Sequence, residues 1–276
     1  MQRSFFTAAK YLILSLLAVL AVAPFWWMAA VSVRADGVFG ASAAEMFFPA
    51  HLTSAYYQKL WAVREQLPLL RYLANSLLLC GAGVCLEVSL ASLAAFPLAR
   101  REFAGKGAAA WLLAAALLLP TQANQIVNFT TVRFLGLYDT LAAVILPGAV
   151  SVFGIFLMRQ AFLVVPWELE DAARLDGCGE WGIFWHIMLP LTRSSQATLA
   201  LFAAVANWNS FLWPLVVLKS NDLYPLSVGL AYLSETFDSE FRLVAAGTVA
   251  GMLPLILLFL AIQKQFIRGL TAGAVK

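Results

Sequence analysis

Long runs of apolar residues, separated by short polar segments, occupy most of the chain. A helix needs about 20 mostly apolar residues to cross the hydrocarbon core of a bilayer. Runs close to or above this length cover residues 11–33, 72–98, 107–127, 137–162, 197–218 and 243–262. Because a backbone in hydrocarbon must satisfy its own hydrogen bonds, each run predicts a helix. The pattern therefore predicts an all-α, polytopic membrane protein with about six transmembrane helices.

The composition agrees with a chain whose surface faces lipid. Hydrophobic residues make up 62% of the sequence and charged residues only 12%, whereas soluble domains have about 25% charged residues. The balance of 18 Lys and Arg against 15 Asp and Glu, without a basic run, does not indicate a nucleic-acid partner. The cysteines Cys80, Cys85 and Cys178 form neither a disulfide framework nor a metal-binding pattern.

The first apolar run also resembles a secretory signal peptide, because basic residues precede it and Ala21 and Ala23 have the spacing of a cleavage site. However, Pro24 would follow the cut and the run continues to Val33, so we expect a retained first helix. Lys and Arg are more frequent in the segments on the side of the N-terminus, above all in the short loop of residues 100–106. By the positive-inside rule, both termini are expected in the cytoplasm.

The segment between the fourth and fifth runs, residues 163–196, has the pattern of an ordered loop. Pro166 suits the first turn of a helix, and Gly177 can end that helix in a left-handed conformation. Acidic residues follow Pro166, where the helix dipole favours negative charge. These residues are Glu168, Glu170 and Asp171. The helix between Pro166 and Gly177 is too short to span a membrane.

This predicted loop helix has one apolar face. Leu169, Ala172 and Ala173 follow the i, i+3, i+4 spacing of a surface that docks onto another element. A second amphipathic piece, residues 181–188, follows, so the loop is predicted to be a helix-turn-helix. A helix lying on the membrane surface is the weaker interpretation, because such helices favour basic faces and this one is acidic.

Residues 170–177, with the sequence Glu-Asp-Ala-Ala-Arg-Leu-Asp-Gly, are followed by Phe184, Ile187 and a Leu-Pro-Leu triplet that begins at Leu189. Together they resemble the EAA loop of ABC importer permeases. In that family the loop is the cytoplasmic coupling helix, which sits in a groove of the ATPase subunit. Asp171 stands where the family usually has glutamate, so the carboxylate keeps its charge but reaches one methylene less far.

The resemblance extends from about residue 71 to the end of the chain. Residues 154–160, 207–215 and 266–276 are similar to the fourth helix, the fifth helix and the tail of permeases of the maltose and glycerol-phosphate type. It implies a type I importer permease in three parts. These are residues 1–70 as the first helix and an extracytoplasmic loop, residues 71–265 as the permease core, and residues 266–276 as a cytoplasmic tail.

The resemblance further implies a heteromeric sugar importer in the inner cell membrane. A second permease subunit would complete the translocation path, two ATPase subunits would bind ATP, and an extracytoplasmic binding protein would deliver the sugar. The chain has no G-x-x-x-x-G-K-[ST] phosphate loop, so it is not expected to hold ATP or another cofactor. The residues that the resemblance assigns to ATPase coupling are Glu170, Asp171, Ala172, Ala173, Arg174, Asp176 and Gly177. The two alanines would supply packing, and the charged side chains from Asp171 onward would supply orientation.

Polar residues inside the predicted spans are the candidates for the substrate path. Glu87 lies well inside the second span, where burying a charge costs at least about 2.5–3.5 kcal/mol. Asn207, Trp208 and Asn209 place amides and an indole at membrane depth. Sugar sites use such groups to bind hydroxyl groups and ring faces. The alternative for both sets is packing or hydrogen bonding between helices.

Two other classes of function stay open. An ion-coupled secondary transporter would need an intramembrane group that binds a proton or an ion, and Glu87 is the candidate. A membrane enzyme is disfavoured, because no paired acids, histidine arrangement or metal cluster indicates catalysis. Dependence of uptake on a partner ATPase would separate an ABC permease from a secondary transporter.

Overall fold

A computed structural model of the protein describes residues 2–37, 42–62, 67–118, 121–237 and 240–272. The helices of the first half are α1 (Gln2–Ser32), α2 (Ala43–Phe47), α3 (Ala55–Ala62), α4 (Leu69–Arg100), α5 (Lys106–Ala116), α6 (Thr121–Phe134) and α7 (Leu141–Ile145). Those of the second half are α8 (Val152–Val164), α9 (Trp167–Leu175), α10 (Glu180–Ile183), α11 (Leu189–Leu191), α12 (Arg193–Trp208), α13 (Leu212–Val217), α14 (Leu226–Thr236) and α15 (Phe241–Ala272). The prediction of an all-α fold is confirmed. Helix α15 includes much of the predicted tail, whose residues 273–276 lie outside the described residues.

Helix length supports several membrane crossings without defining their number. Across the described ranges, three helices are long and apolar enough to span a bilayer: α1 over Ala9–Ser32, α4, and α15 over Phe241–Ala261. A fourth span is counted if α7 and α8, which bend by 49° at a short break, act as one. The third predicted span instead contains α5 and part of α6, and its Pro120 lies outside the described residues. The count of six stays a prediction.

Polar caps divide the fourth predicted span into two helices. The pattern predicted one continuous helix, but α7 begins at Leu141, where the Thr140 hydroxyl accepts a hydrogen bond of 3.2 Å from a first-turn N–H. Pro147 then lies in a short 3₁₀ turn, where its missing N–H ends the helical ladder. The Ser151 hydroxyl accepts a bond of 3.0 Å and starts α8. Local hydrogen bonding therefore outweighs continuous hydrophobicity in this segment.

One compact unit consists of Met1–Leu70 and Gly229–Pro254. Within it, Lys59 of α3 forms an ion pair with Glu240, the residue before α15. Helices α14 and α15 also approach closely at Gly247, because a Cβ atom added there would lie 2.8 Å from a leucine methyl group of α14. A small residue is thus needed where these two helices pack.

The second unit consists of Arg71–Val228 and Leu255–Lys276. Its apolar core joins α4, α8 and α12 to the loop helices that follow α8. The core residues include Ala91, Ala95, Phe96, Ile155, Met158, Phe162, Ala173, Ile183, Phe184, Met188 and Leu199. A Cβ atom added at Gly154 of α8 would lie 3.2 Å from the Cβ atom of Ala91, so α4 and α8 pack closely. The loop between α8 and α12 is therefore anchored on the same core as the long helices.

Candidate functional site

The loop between α8 and α12 has the helix-turn-helix structure that its sequence predicts. Pro166 caps helix α9, and Gly177 ends it with a φ of +83°. The Gly177 N–H donates to the carbonyl of Arg174 (3.0 Å), and the Cys178 N–H donates to the carbonyl of Ala173 (2.9 Å). This pair of bonds is the Schellman arrangement, which requires the left-handed residue at the position of Gly177. The predicted role of Gly177 as a helix terminator is confirmed.

The second piece of the loop is amphipathic, as predicted. Helix α10 is followed by a short π-helix, Phe184–Met188, and then by α11. Ile183, Phe184 and Met188 are buried in the core, whereas Trp181 and Trp185 are exposed. The buried side of this piece therefore holds the loop on the bundle, and its other side presents two indole rings.

The apolar face predicted for α9 is divided in the structure. Ala173 is only 8% exposed and belongs to the core, while Leu169 is 43% exposed and Ala172 is exposed. The expectation that Ala173 offers a docking surface therefore does not fit its position, because Ala173 lies in the same buried apolar cluster as Ile183 and Phe184. Ala172 keeps the outward position that the sequence assigned to it.

Both helical pieces of the loop carry exposed apolar side chains. Leu175, at the last position of α9, is 89% exposed, and Trp181 and Trp185 are 68% and 58% exposed. Leu169, Ala172 and Leu175 are spaced by three residues and lie on one side of α9. We refer to Leu169, Ala172, Leu175, Trp181 and Trp185 as the exposed loop surface. Asp171 and Asp176 are also exposed.

Glu170 is the centre of a buried ionic cluster. Its side chain is 0% exposed, and its two carboxylate oxygens lie 2.8 Å from Arg100 Nε, 2.9 Å from Arg101 Nη1 and 3.0 Å from Arg174 Nη2. Arg101 also pairs with Glu180 of α10. Because removing one partner of a buried ion pair leaves an uncompensated charge, we expect a cost of about 3–5 kcal/mol for its loss.

This cluster shows contacts of Glu170 that the sequence analysis did not predict. The resemblance assigns Glu170 to ATPase coupling as part of the loop, and this assignment stays a prediction. In the structure its side chain points into the protein and contacts the end of α4. Arg100 and Arg101 were not identified as its partners. The one local signal was the i, i+4 spacing of Glu170 and Arg174, which accounts for only one of the contacts.

The polar residues that the sequence predicts at membrane depth belong to α4 and to the end of α12, both in the second unit. Asn207 is half-buried and donates to the carbonyl of Ala203 (2.8 Å), and the exposed Asn209 donates to that of Val205 (2.8 Å). Both side-chain amides thus donate to carbonyl groups of α12 that lie four residues earlier in the chain. Trp208 is half-buried and ends α12. The fifth predicted span breaks here, before α13 begins.

Glu87 lies on the packed side of α4. It is 9% exposed, and its carboxyl group interacts with the Ser151 side chain at the start of α8. Gly83, one turn earlier on the same side of α4, faces Asn207 of α12, because a Cβ atom added at Gly83 would lie 2.8 Å from the Asn207 Oδ1 atom. The assignment of Glu87, Asn207, Trp208 and Asn209 to a substrate path stays a prediction.

The contact between Gly83 and Asn207 predicts a difference between two glycines of α4. We expect Gly83→Ala to lower the free energy of unfolding by roughly 1–3 kcal/mol, because the new methyl group displaces an amide that is already hydrogen-bonded. Gly81→Ala is the matched control, since a Cβ atom there would meet nothing within 4 Å. Thermal unfolding of the two variants in detergent tests this. Equal midpoints would show that Asn207 moves without cost.

A separate polar contact joins two loops of the second unit. Asp139, whose φ is +61°, accepts hydrogen bonds from the backbone N–H groups of Lys219 (2.8 Å) and Ser220 (2.9 Å) and from the Ser220 hydroxyl (2.5 Å). It precedes α7 and lies outside the apolar helices. The hydrogen bond from the Ser220 side chain, followed by those from the backbone, holds the pKa of the Asp139 carboxyl below its ordinary value.

This lowered pKa predicts a pH-dependent effect of Asp139→Asn. Because the folded pKa lies below the unfolded value of about 3.9, the charged side chain stabilises the fold above that pH, and the stabilisation is lost as the pH falls through the folded pKa. Asparagine also tolerates a positive φ, so the variant tests the charge and not the backbone. We expect a lower unfolding midpoint for the variant at pH 7 and a smaller difference below about pH 4. A difference independent of pH would contradict this account.

Apolar helices long enough to cross a bilayer, together with an ordered loop helix that packs on an apolar core, define the class of the protein as a polytopic membrane protein. Residues 87–272 match the family described as binding-protein-dependent transport system inner membrane component. The chain belongs to this family.

Similarity to individual proteins extends over most of the chain. The chain is 40% identical to the arabinooligosaccharides transport system permease protein AraQ of Halalkalibacterium halodurans over 74% of each chain. It is 33% identical to the lactose transport system permease protein LacG of Rhizobium radiobacter, over 97% of this chain and 95% of that one. The fold matches a chain of a bacterial ABC transporter involved in the import of alginate, with a TM-score of 0.84 and 23% identity over 96% and 98% of the two chains.

Proposed function

We propose that this chain is a permease subunit of an ATP-driven, binding-protein-dependent importer of oligosaccharides. Membership of the inner-membrane component family carries this proposal. The relatives named for arabino-oligosaccharide and lactose transport support a sugar substrate. The complete transporter would contain a second permease subunit, two ATPase subunits and an extracytoplasmic binding protein, with ATP bound by the ATPase subunits alone.

The exposed loop surface is the part of this chain that we assign to the ATPase. A hydrophobic surface on an ordered helix that is too short to span a membrane suits a groove of a partner protein. Asp171, Arg174 and Asp176 would orient the contact, and Gly177 would set the angle at which α9 is presented. The buried residues Glu170 and Ala173 would hold α9 in place on the rest of the chain.

The coupling assignment also gives the orientation of the chain. If the loop between α8 and α12 meets ATPase subunits, it lies in the cytoplasm. With four predicted spans before the loop and two after it, both termini would lie on the same side. Residues 1–70 would then supply the first helix and an extracytoplasmic loop, residues 71–265 the permease core, and residues 266–276 a cytoplasmic tail. The predominance of Lys and Arg in the predicted inner segments supports this direction.

For the sugar path we propose Asn207, Trp208 and Asn209 at the break between α12 and α13. Interrupted helices at membrane depth are tolerated where they line a cavity or are buried in protein, and they expose backbone groups that can bind polar ligands. The amides would change their hydrogen-bond partners from the preceding turn to sugar hydroxyls. Glu87 is the less favoured member of this set, since its carboxyl group packs against α8.

Reconstitution tests the proposed function. The chain, its partner permease and the ATPase subunits are placed in proteoliposomes, and uptake of labelled arabino-oligosaccharides and lactose is measured with the binding protein outside. We expect uptake that requires internal ATP and persists when a protonophore collapses the proton gradient. Uptake that continues without the ATPase subunits and stops with the protonophore would overturn the proposal and favour a secondary transporter.

Glu87→Gln separates the same two mechanisms at one residue. Glutamine keeps the volume and most of the hydrogen-bonding capacity of the side chain but cannot release a proton. We expect ATP-driven uptake to keep its rate and KM in this variant, because Glu87 contacts Ser151 in a packed interior. The matched control is Glu102→Gln, at a 90% exposed side chain outside the helices. Loss of uptake in Glu87→Gln alone would favour ion coupling.

A further inference from the structure

We propose that Glu170 is a positioning residue that ties α9 to the end of α4, so that a displacement of α9 by an ATPase subunit reaches α4 directly. This inference rests on the proposed function and adds a path by which a displacement of α9 reaches α4. Along the chain, α9 is connected only to α8 and to α10. The ionic cluster adds a third connection, to a helix that ends far earlier in the sequence.

The Arg100 side chain contacts both α9 and the segment that leads into it. Its Nε atom lies 2.8 Å from Glu170 Oε1, and its Nη2 atom donates to the carbonyl of Val165, the residue before the helix cap. Its guanidinium also lies 4.2 Å from the ring of Trp167, the first residue of α9. The Arg100 and Glu170 side chains are both 0% exposed, so water does not compete for these contacts. The start of α9 is therefore held at three points by one side chain of α4.

Arg101 extends the connection to α10. It lies 2.9 Å from Glu170 Oε2 and pairs with Glu180, so one side chain contacts two helices of the loop. Arg174 also reaches Glu170, but it belongs to α9 itself and cannot link that helix to another element. The contacts of Arg100 and Arg101 are the ones that cross between elements.

The direction of these bonds distinguishes them from the apolar contacts beside them. Phe96 of α4 packs against Phe162 and Phe184, with ring centroids 6.1 Å and 5.3 Å apart. Apolar packing can yield to small sliding of helices. Glu170 Oε2 accepts hydrogen bonds from Arg101 Nη1 (2.9 Å) and Arg174 Nη2 (3.0 Å), and such charge-assisted bonds are directional. We infer that the apolar contacts hold the loop on the core and that the ionic contacts transmit its displacement.

Helix α4 leads from this cluster to the polar positions at membrane depth. It is continuous over Leu69–Arg100 and carries Gly83, which faces Asn207, and Glu87, which contacts Ser151. A displacement of its Arg100 end would therefore alter the packing of α4 against α8 and α12. The ionic cluster thereby connects the loop to the helices that would line the path.

The first test is the ratio of sugar transported to ATP hydrolysed in the reconstituted transporter. We expect Glu170→Gln to keep ATPase subunits bound and ATP hydrolysed, but to lower this ratio about tenfold, within the usual range of coupling between sites. Glu168→Gln is the matched control, because it is the same substitution at an exposed position of the same helix and is expected to keep the wild-type ratio. A merely structural role of Glu170 would lower assembly and leave the ratio unchanged.

The second test follows α4 and α9 directly. Cys85 on α4 and Cys178 after α9 are exposed in the chain, whereas Cys80 is buried and can be replaced by alanine. With spin labels on the two exposed cysteines, we expect their distance to stay constant on ATP binding in the otherwise wild-type complex and to change in Glu170→Gln. Movement that is equal in both proteins would overturn the inference.

A third variant covers the case in which Glu170→Gln does not fold. Arg101→Gln removes the link to Glu170 and Glu180 but leaves Glu170 paired with Arg100 and Arg174. A smaller loss of the same ratio is expected, and an unchanged ratio would contradict the inference. Uptake by the wild-type transporter distinguishes a failure of the inference from a failure of the proposed function. If it is ATP-driven and the variants keep their ratio, only the inference fails, whereas absent ATP-driven uptake in the wild type overturns both.

Discussion

Replacement of Gly177 by valine is expected to abolish ATP-driven uptake while leaving membrane insertion of the chain unchanged. Gly177 has a φ of +83°, a conformation that costs an L-residue about 1–2 kcal/mol and a β-branched residue more. No atom lies within 4 Å of an added Cβ, so crowding by neighbours does not contribute. The valine would instead break the Schellman turn and change the direction in which α9 is presented. Sugar uptake and the amount of chain in the membrane are the two measurements.

Two further substitutions show whether backbone conformation is the cause. Gly177→Asn is expected to keep most of the uptake, because asparagine tolerates the left-handed region. Gly182→Ala, five residues later, is expected to be neutral, since its methyl group would make only an ordinary contact with Cys178, at 3.8 Å. Normal uptake in Gly177→Val would remove the link between the geometry of this turn and transport. Equal losses in Gly177→Val and Gly177→Asn would assign the effect to side-chain bulk.

The turn at Gly177 was predictable because its determinants lie within a few residues of one another. A proline at the start, acidic residues in the first turn and a glycine at the end describe a helix of this length without knowledge of its surroundings. The same holds for residues 181–188, whose alternating exposure follows from the spacing of Trp181, Trp185 and the buried residues between them. These features depend on local geometry, which the sequence pattern carries.

The inward contacts of α9 could not be predicted in this way. The side chain of Glu170 bonds to that of Arg101, which is 69 residues away in the sequence, and a glutamate beside another acid is typical of a solvent-facing position. Ala173 was assigned to the outer surface, because an i, i+3, i+4 pattern identifies an apolar face without saying which neighbour covers it. Both positions are decided by tertiary packing onto α4 and onto the second piece of the loop.

The apolar runs predicted where helices lie better than where they break. Hydrophobicity averaged over a window does not register a single hydroxyl that caps a backbone N–H, as at Thr140 and Ser151. The break before α13 follows an asparagine and a serine that the same average treats as minor interruptions. Polar caps inside apolar runs change the local geometry but hardly change the average hydrophobicity. These positions were therefore predicted to lie in continuous spans.

Replacement of Leu175 by aspartate is expected to abolish association with the ATPase subunits, and with it uptake. Leu175 is 89% exposed, so the free energy of unfolding should change little. In the complex, by contrast, the carboxylate would be buried in an apolar contact without a partner, which costs several kcal/mol. We expect the affinity for the ATPase subunits to fall by more than about tenfold, a loss of at least 1.4 kcal/mol. Co-purification of the ATPase subunits with the tagged permease measures this directly.

The position of Leu175 at the end of α9 requires a control for the helix itself. An aspartate there opposes the helix dipole by about 0.3–1 kcal/mol, whereas a lysine is favoured by a similar amount. Leu175→Lys should therefore stabilise α9 and still lose the ATPase subunits, if the apolar contact is what matters. Leu175→Met keeps that contact and should retain both association and uptake. Recovery of association in the lysine variant would mean that Leu175 acts through helix stability, and the exposed loop surface would then not be the docking surface.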